Sequence, residues 1–281
     1  MKMSAADFAR WEAKRITLLG MSGVGKTYLS SRLRAQHWFH YSADYRIGTR
    51  YLNEPILDNI KRQAMQVPFL RELLRSDSIY ISNNITVDNL TAVLTFLGKL
   101  GDPARGGLTL DEFKHRQQLY RDAEVSAMLD VPEFIHKARE IYGYRHFVND
   151  SAGSLCELDD PQALEVLAAH TLIVYIEATE ENGRELLRRA EADPKPLYYR
   201  PAFLDEQLRV FMGERGLEDP AGISPDNFVL WMFPRLFRAR VPRYEAIARQ
   251  YGYTVRADRI AQVQDEAGFL ACLEEVLAKA G

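Results

Sequence analysis

The chain has 281 residues, of which 47% are hydrophobic and 27% charged, an ordinary globular composition with ample apolar content for a core. Its 36 basic and 39 acidic residues give a net charge of -3, so no global basic excess marks a nucleic-acid binder. Cys156 and Cys272 lie far apart without metal-ligand spacing, which argues against a disulfide scaffold or a zinc site. The first 15 residues are too polar for a signal peptide. No run of about 18 apolar residues occurs. No membrane association is therefore expected, and a reducing cytoplasm is the expected compartment.

In chain order, five short apolar runs read as buried parallel strands, at 15–20, 38–42, 145–150, 171–177 and 253–256. Helical patterns separate them, at 26–36, 160–169, 181–192, 243–251 and 265–280, with Asp160-Pro161 reading as a cap and first turn. Strands alternating with helices predict an α/β fold with a parallel sheet covered on both faces. Residues 50–143 break the rhythm, with several capped helices and no convincing strand. Asn53 leads into Ile56, Leu57 and Ile60, Thr109 and Glu112 form a capping box, and Asp130 opens a helix that stops at Gly143. This segment reads as a helical insertion between the second and third strands. It divides a core of 1–49 and 144–281 and is the expected acceptor-binding lobe.

Gly20-Met-Ser-Gly-Val-Gly-Lys-Thr27 satisfies the pattern G-x-x-x-x-G-K-[ST], with a strand before it and a helix after it. Glycines let such a loop wrap closely, so that successive amides point at phosphate oxygens. The start of the following helix adds its positive dipole end. Ser22, Gly23, Val24, Gly25, Lys26 and Thr27 are thus the expected phosphate cradle. Lys26 is expected to reach the β- and γ-phosphates of ATP, and the Thr27 hydroxyl to ligate Mg²⁺.

Ligands of open α/β sheets gather at the carboxyl ends of the strands. Asp44 follows the second strand and Asp150 ends the third. Asp150 is placed to ligate Mg²⁺ or to assist the acceptor; the alternative is capping of its own turn through Ser151 or Gly153. Asp44 is placed to orient or deprotonate an acceptor hydroxyl; the alternative is pairing with Arg46 or Arg50. After the fourth strand come an Arg-rich helix and a Pro-bounded loop. There Arg200 and one of Arg188 and Arg189 are candidates to neutralise transferring phosphate charge as a lid closes, while Arg184 reads as surface charge.

These residues resemble the shikimate kinase and gluconate kinase branch of the P-loop kinases, of adenylate-kinase-like fold. Gly20–Thr27 resembles their phosphate loop, and Ser42-Ala-Asp44 their D-x-D. Leu197-Tyr-Tyr-Arg200-Pro201-Ala resembles their lid segment R-P-L, and Arg240-Val-Pro-Arg-Tyr244-Glu-Ala-Ile-Ala248 resembles R-x-P-L-Y-x-x-x-A. The resemblance implies a five-stranded sheet in the order 2-3-1-4-5, a lid over about 181–205, Asp44 binding the acceptor, Arg200 as lid arginine and Arg240 holding an anionic acceptor. Asn149-Asp-Ser-Ala-Gly153 stands where shikimate kinases have a triple glycine, a departure that bears on whether shikimate itself fits. The enlarged insertion implies a bulkier acceptor.

Among weaker signals, His37 and His40 read as pointing to opposite faces of one strand, and Tyr80, Tyr120, Tyr142, Met65 and Met128 as packing residues. Phe228–Phe237 reads as a buried helix ahead of Arg240. The expected function is ATP- and Mg²⁺-dependent transfer of the γ-phosphoryl group to a hydroxyl of a small anionic or polyhydroxylated molecule. Two other readings stand beside it: a P-loop ATPase or ATP-sensing module whose helical lobe binds a protein partner, and a nucleoside or nucleotide kinase.

Overall fold

The computed structural model describes residues 1–280. Helix α1 (Ala5–Arg10) precedes β1 (Arg15–Leu19), α2 (Lys26–Arg34) and β2 (Trp38–Ser42). Then come α3 (Ala43–Arg46), α4 (Asn53–Ala64), α5 (Pro68–Arg75), α6 (Thr91–Leu97), α7 (Leu110–Leu129) and α8 (Val131–Glu140). The chain re-enters the sheet with β3 (His146–Asp150), α9 (Pro161–His170) and β4 (Leu172–Glu177). It finishes with α10 (Glu180–Ala192), α11 (Pro201–Arg215), α12 (Pro225–Tyr251), β5 (Gly252–Arg256), α13 (Ala257–Ala261) and α14 (Glu266–Ala280).

All strands pair in parallel in the order β2-β3-β1-β4-β5. Central strands covered on both faces need apolar side chains on both, which explains the near-continuous runs Ile16–Leu19 and Leu172–Ile176. Each such side chain contributes about 1.5–3 kcal/mol when fully buried. The edge strand β5 instead alternates, with Val255 buried between exposed Thr254 and Arg256. The register aligns Leu18 with Asp150 and Asp150 with Ser42, so three strand ends meet at one edge of the sheet.

Between β2 and β3 the described residues hold helices and only isolated bridges, Thr86 with Asn89 and Leu100 with Leu108. The inner side of this segment, including Ile56, Val93, Phe96 and Met128, joins the hydrophobic cluster of the sheet. A second cluster gathers Leu100 and Phe113 with Tyr199, Phe203, Phe211 and Phe228. Helix α7 has 20 residues, so it is about 30 Å long, and it runs from one cluster to the other.

Four sequence expectations need correction here. Helix α11 was not expected; Pro201 opens it at the first turn, and Phe203, Leu204, Leu208 and Phe211 bury its apolar stripe. The two helices expected around 228–237 and 243–251 form one, α12, with Pro234 and Pro242 inside it. Each proline removes an amide donor, but the stripe Phe228, Met232, Leu236, Arg240, Tyr244 and Ala248 is buried along the whole length and holds both halves in line. His37 stands outside the strand with φ 65°, so it does not share β2 with His40. Tyr80 is exposed and does not pack as expected, whereas Tyr120 and Met128 are buried and Tyr142, though largely exposed, stacks on Phe39.

Candidate active site

β1 ends at Leu19, and the chain turns through residues 20–25 into α2. Gly25 takes φ 103° as it caps the helix, a left-handed conformation open to glycine at little cost. Among the described residues, the amides of Ser22, Gly23, Gly25, Lys26 and Thr27 donate to no backbone acceptor. Those of Lys26 and Thr27 belong to the first helical turn, where no intrahelical acceptor exists. The Val24 amide, expected in the cradle, instead donates to the Met21 carbonyl at 3.4 Å; the other loop amides present free donors at the positive end of a helix, the arrangement that binds phosphate. The buried Lys26 ammonium donates to the carbonyls of Gly20 at 2.7 Å and Met21 at 3.0 Å, which holds it over the loop. Burial lowers its pKa, opposed by the nearby carboxylates of Asp150 and Asp44.

Both predicted carboxylates lie close enough to act on the charge of this lysine, though neither forms an ion pair with it within 4.0 Å among the described residues. Ser42 caps α3 by accepting from the Tyr45 amide at 3.3 Å, which sets Asp44 in the first turn of that helix. Asp44 Oδ1 lies 3.4 Å from the Tyr120 hydroxyl. Burial and then the charge of Asp150 raise the Asp44 pKa to about 6, against the pull of Lys26. Arg46 turns away to Asp130 at 2.8 Å, so it does not neutralise Asp44. Asp130 is consequently not the side-chain cap of α8 that its position suggests, because its carboxylate takes Arg46 and the Tyr51 hydroxyl. Asp150 is buried, and its nearest ionisable contact is His40 Nε2 at 3.5 Å. It accepts no hydrogen bond from its own turn, where Ser151 instead bonds the Leu18 carbonyl at 2.7 Å.

Sequence reasoning missed the contribution of α7. Arg116, Gln117, Tyr120 and Glu124 are all buried on one side of it, beside Phe113 and Ala127. Gln117 clamps the strap before α11, donating to the Leu197 carbonyl at 3.1 Å and accepting from the Tyr199 amide at 2.8 Å. Glu124 is fully buried; Ser154 donates to its Oε2 at 2.5 Å, while Oε1 has no partner. Burial raises its pKa to about 8, opposed by the Ser154 bond. The signal was present: polar residues at 116, 117 and 124 fall on the helical face whose other members are apolar.

Both arginines carried over from the resemblance are engaged by the protein. Arg200 caps the start of α11, and its Nε stands 3.5 Å from the buried carboxylate of Glu157. In place of the expected free anion-holding guanidinium, Arg240 is buried. Its Nη1 donates to the Gly153 carbonyl at 2.7 Å and its Nη2 to the Tyr198 carbonyl at 2.8 Å, leaving only Nε unpartnered. The Tyr244 hydroxyl also donates to Gly153, at 2.6 Å. A Cβ on Gly153 would meet the Ser22 amide nitrogen at 2.9 Å, so this loop rests directly on the phosphate loop.

A cleft of about 470 Å³ opens beside Ser22 and Gly23 under α10, and Arg188, Arg189, Leu197 and Phe233 help to line it. Arg188 and Arg189 share the Glu185 carboxylate at 2.8 and 2.7 Å, whereas Arg184 lies 3.9 Å from Glu180 and does not line this cleft.

No group of three or more His, Cys, Asp or Glu among the described residues is placed to hold a metal ion. Mg²⁺ asks for less, one or two carboxylates together with substrate phosphates, and the Thr27 hydroxyl with the Asp150 carboxylate fits that donor set. No helix among the described residues is long and apolar enough to cross a membrane.

A parallel sheet of order 2-3-1-4-5, whose first strand passes through a glycine loop into a lysine-headed helix, defines a P-loop NTPase fold. No known family profile and no curated protein sequence matches the chain. Among solved structures it is similar to shikimate kinase from Bacteroides thetaiotaomicron, with 17% identity and a TM-score of 0.42 over 94% of this chain and 98% of that one. A shikimate kinase from Acinetobacter baumannii, solved in complex with shikimate, shows 13% identity and a TM-score of 0.42 over 97% of each chain. Shikimate kinase from Aquifex aeolicus shows 14% identity and a TM-score of 0.26 over 81% of this chain and 98% of that one. Likenesses this distant bear on no residue of the site.

Proposed function

We propose that the protein is an ATP- and Mg²⁺-dependent kinase that moves the γ-phosphoryl group to a hydroxyl of a small molecule. The observation that carries this reading is the buried Lys26 at a loop of amides without backbone acceptors, with the buried Asp150 at the adjoining strand end and Asp44 after β2 both acting on its charge. Amides of 22–27 bind the phosphates, and Lys26 leaves its loop carbonyls for the β- and γ-phosphate oxygens. Bound Mg²⁺ would supply charge neutralisation between those oxygens, held by Thr27 and Asp150. Asp44 receives the acceptor proton, and its raised proton affinity suits that exchange near neutral pH. Arg200 serves the transferring group by exchanging Glu157 for phosphate as α10 and the strap close. Arg240 holds Gly153 and Tyr198 in place and offers an acceptor only its Nε. The helical segment 50–143 forms the acceptor side, through Tyr120 and Glu124.

The test is ATP turnover with and without a metabolite fraction, on the natural chain and on Asp44→Asn. Small molecules should stimulate turnover and yield a phosphorylated product, and Asp44→Asn should abolish transfer while still binding ATP. Stimulation by a protein fraction alone would instead favour an ATPase whose helical segment docks a partner. One observation favours that second reading: α5 has no buried residue, and Phe69 on it is 71% exposed.

A further inference from the structure

At the amino ends of β1 and β3, opposite the phosphate loop, lies a second cleft of about 440 Å³. Arg15, Arg139, Arg145, His136 and His170 line it, and Glu140 is the one carboxylate that does. Glu140 stands 3.4 Å from Arg139 Nε, and both side chains are exposed. Arg145 spends its Nε on the Glu12 carbonyl at 2.9 Å. Arg15, the first residue of β1, is half-buried and has no carboxylate partner among the described residues; its Nε is buried without a hydrogen bond to them, and its guanidinium lies 5.5 Å from the Trp11 ring. Its pKa is lowered, by burial first and then by the neighbouring charge of Arg139. Arg139 therefore adds a second guanidinium near Arg15, and its solvent-exposed pairing with Glu140 is weak enough for a bound anion to compete with it. Surface arginines at the end of α8 would answer the helix dipole alone, but Arg15 belongs to a strand and has no such role.

We propose that this cleft is a second ligand site, for a small organic phosphate with an aromatic ring, of the nucleoside monophosphate class. Arg15 and Arg139 take the phosphate, since paired guanidiniums fit its oxygens in forked geometry. Trp11 and Tyr144, both half-buried on the cleft wall, take the ring. The volume falls within the range of small-molecule sites. β1 has five residues, at about 3.3 Å each, so roughly 17 Å separate this cleft from the phosphate loop. A nucleotide on the loop therefore does not reach it.

The experiment is calorimetric titration of AMP into protein saturated with a non-hydrolysable ATP analogue, with adenosine and inorganic phosphate as further probes. AMP should bind at one site per chain, adenosine should not, phosphate should bind more weakly, and the affinity of AMP should fall as salt rises. Arg15→Gln with Arg139→Gln should weaken AMP at least tenfold and leave the ATP analogue's affinity unchanged. Should that pair of changes prevent folding, Arg139→Glu, on an exposed side chain, should show the same loss. Absence of AMP binding to the saturated protein overturns the proposal. AMP binding that Arg139→Glu leaves intact does so too, because AMP then occupies the acceptor side. Equal binding of adenosine and AMP would also overturn it.

Discussion

On the proposed phosphate side, the short stretch from Ser22 to Thr27 holds the free amides, the lysine and the hydroxyl. On the proposed acceptor side, Asp44 comes from α3, Tyr120 and Glu124 from α7, and Ser154 from the turn after β3. The first is built by local backbone geometry, and almost any parallel sheet can carry it. The second exists only when α7 lies across the sheet edge, which depends on packing at both of its ends. The two sides differ further in electrostatics. Around the loop, amides without backbone acceptors and the Lys26 ammonium make a positive surrounding, whereas around Glu124 burial holds a carboxyl close to neutrality. Changes on the two sides should therefore break different measurements, binding of ATP on one and transfer from bound ATP on the other.

The largest effects test that division directly. Lys26→Ala should lower phosphoryl transfer by about 10²–10³-fold, as loss of one preorganised charge at the reacting phosphate does. Asp44→Asn should lower it by about 10²–10⁴-fold with ATP affinity nearly intact. Rapid-quench transfer and equilibrium binding separate the two outcomes. If Asp44→Asn loses ATP binding and transfers normally per bound ATP, Asp44 belongs to the phosphate side and the division is wrong.

Next in size is a pair of pH effects with defined sign. Asp44 must be ionised to accept a proton, so transfer should fall as pH drops through about 6. Glu124 acts on stability instead. Its pKa in the fold is about 8, raised from an ordinary 4.5, so the fold binds the extra proton between those values. Its stabilisation is thus complete below about 4.5 and is lost as pH rises through about 8. Thermal melts of the natural chain should lose stability across that window, and Glu124→Gln should flatten the slope. An unchanged slope in the variant would mean that Glu124 is ionised in the fold.

Gly153→Ala should produce a smaller effect that crosses the division. The added methyl would sit 2.9 Å from the Ser22 amide nitrogen, a backbone atom that cannot swing aside. Arg240 and Tyr244 hold the Gly153 carbonyl from the other side, so the phosphate loop is the part that must move. ATP affinity should fall about tenfold, equivalent to 1.4 kcal/mol. Unchanged affinity in a binding assay would mean that the loop tolerates displacement and that the two sides are less tightly joined than the contacts indicate.

The same contrast explains what could be read in advance. The strands and the loop follow from runs and spacings a few residues long, the strand order from the family resemblance, and the structure agrees with both from β1 through β5. Helix α11 escaped because its apolar stripe follows a proline-rich stretch that reads as loop, and the residues it packs with, among them Leu100, Phe113, Phe228 and Met232, lie far from it in the chain or in a helix of their own. The engagement of Arg240 with backbone carbonyls was out of view for a related reason. A motif fixes where a guanidinium starts, but the carbonyls of Gly153 and Tyr198 that take its protons are 87 and 42 residues away.

Gly213→Ala carries the smallest expected effect and marks where the machinery ends. Gly213 lies inside α11, is exposed, has no positive φ, and a Cβ there would meet nothing within 4 Å. Alanine costs less backbone entropy in a helix, so stability should rise by about 0.5–1 kcal/mol in denaturant melts. Helix α11 packs on the second cluster, pairs with the exposed side of α7 through Asp205 and Lys114 at 2.7 Å, and adjoins the strap at 197–200, which Gln117 and Arg240 already hold. Turnover should therefore stay the same while the melt shifts. Should turnover change with the melt, motion of α11 belongs to the catalytic cycle, and the acceptor side extends past the strap into the second cluster.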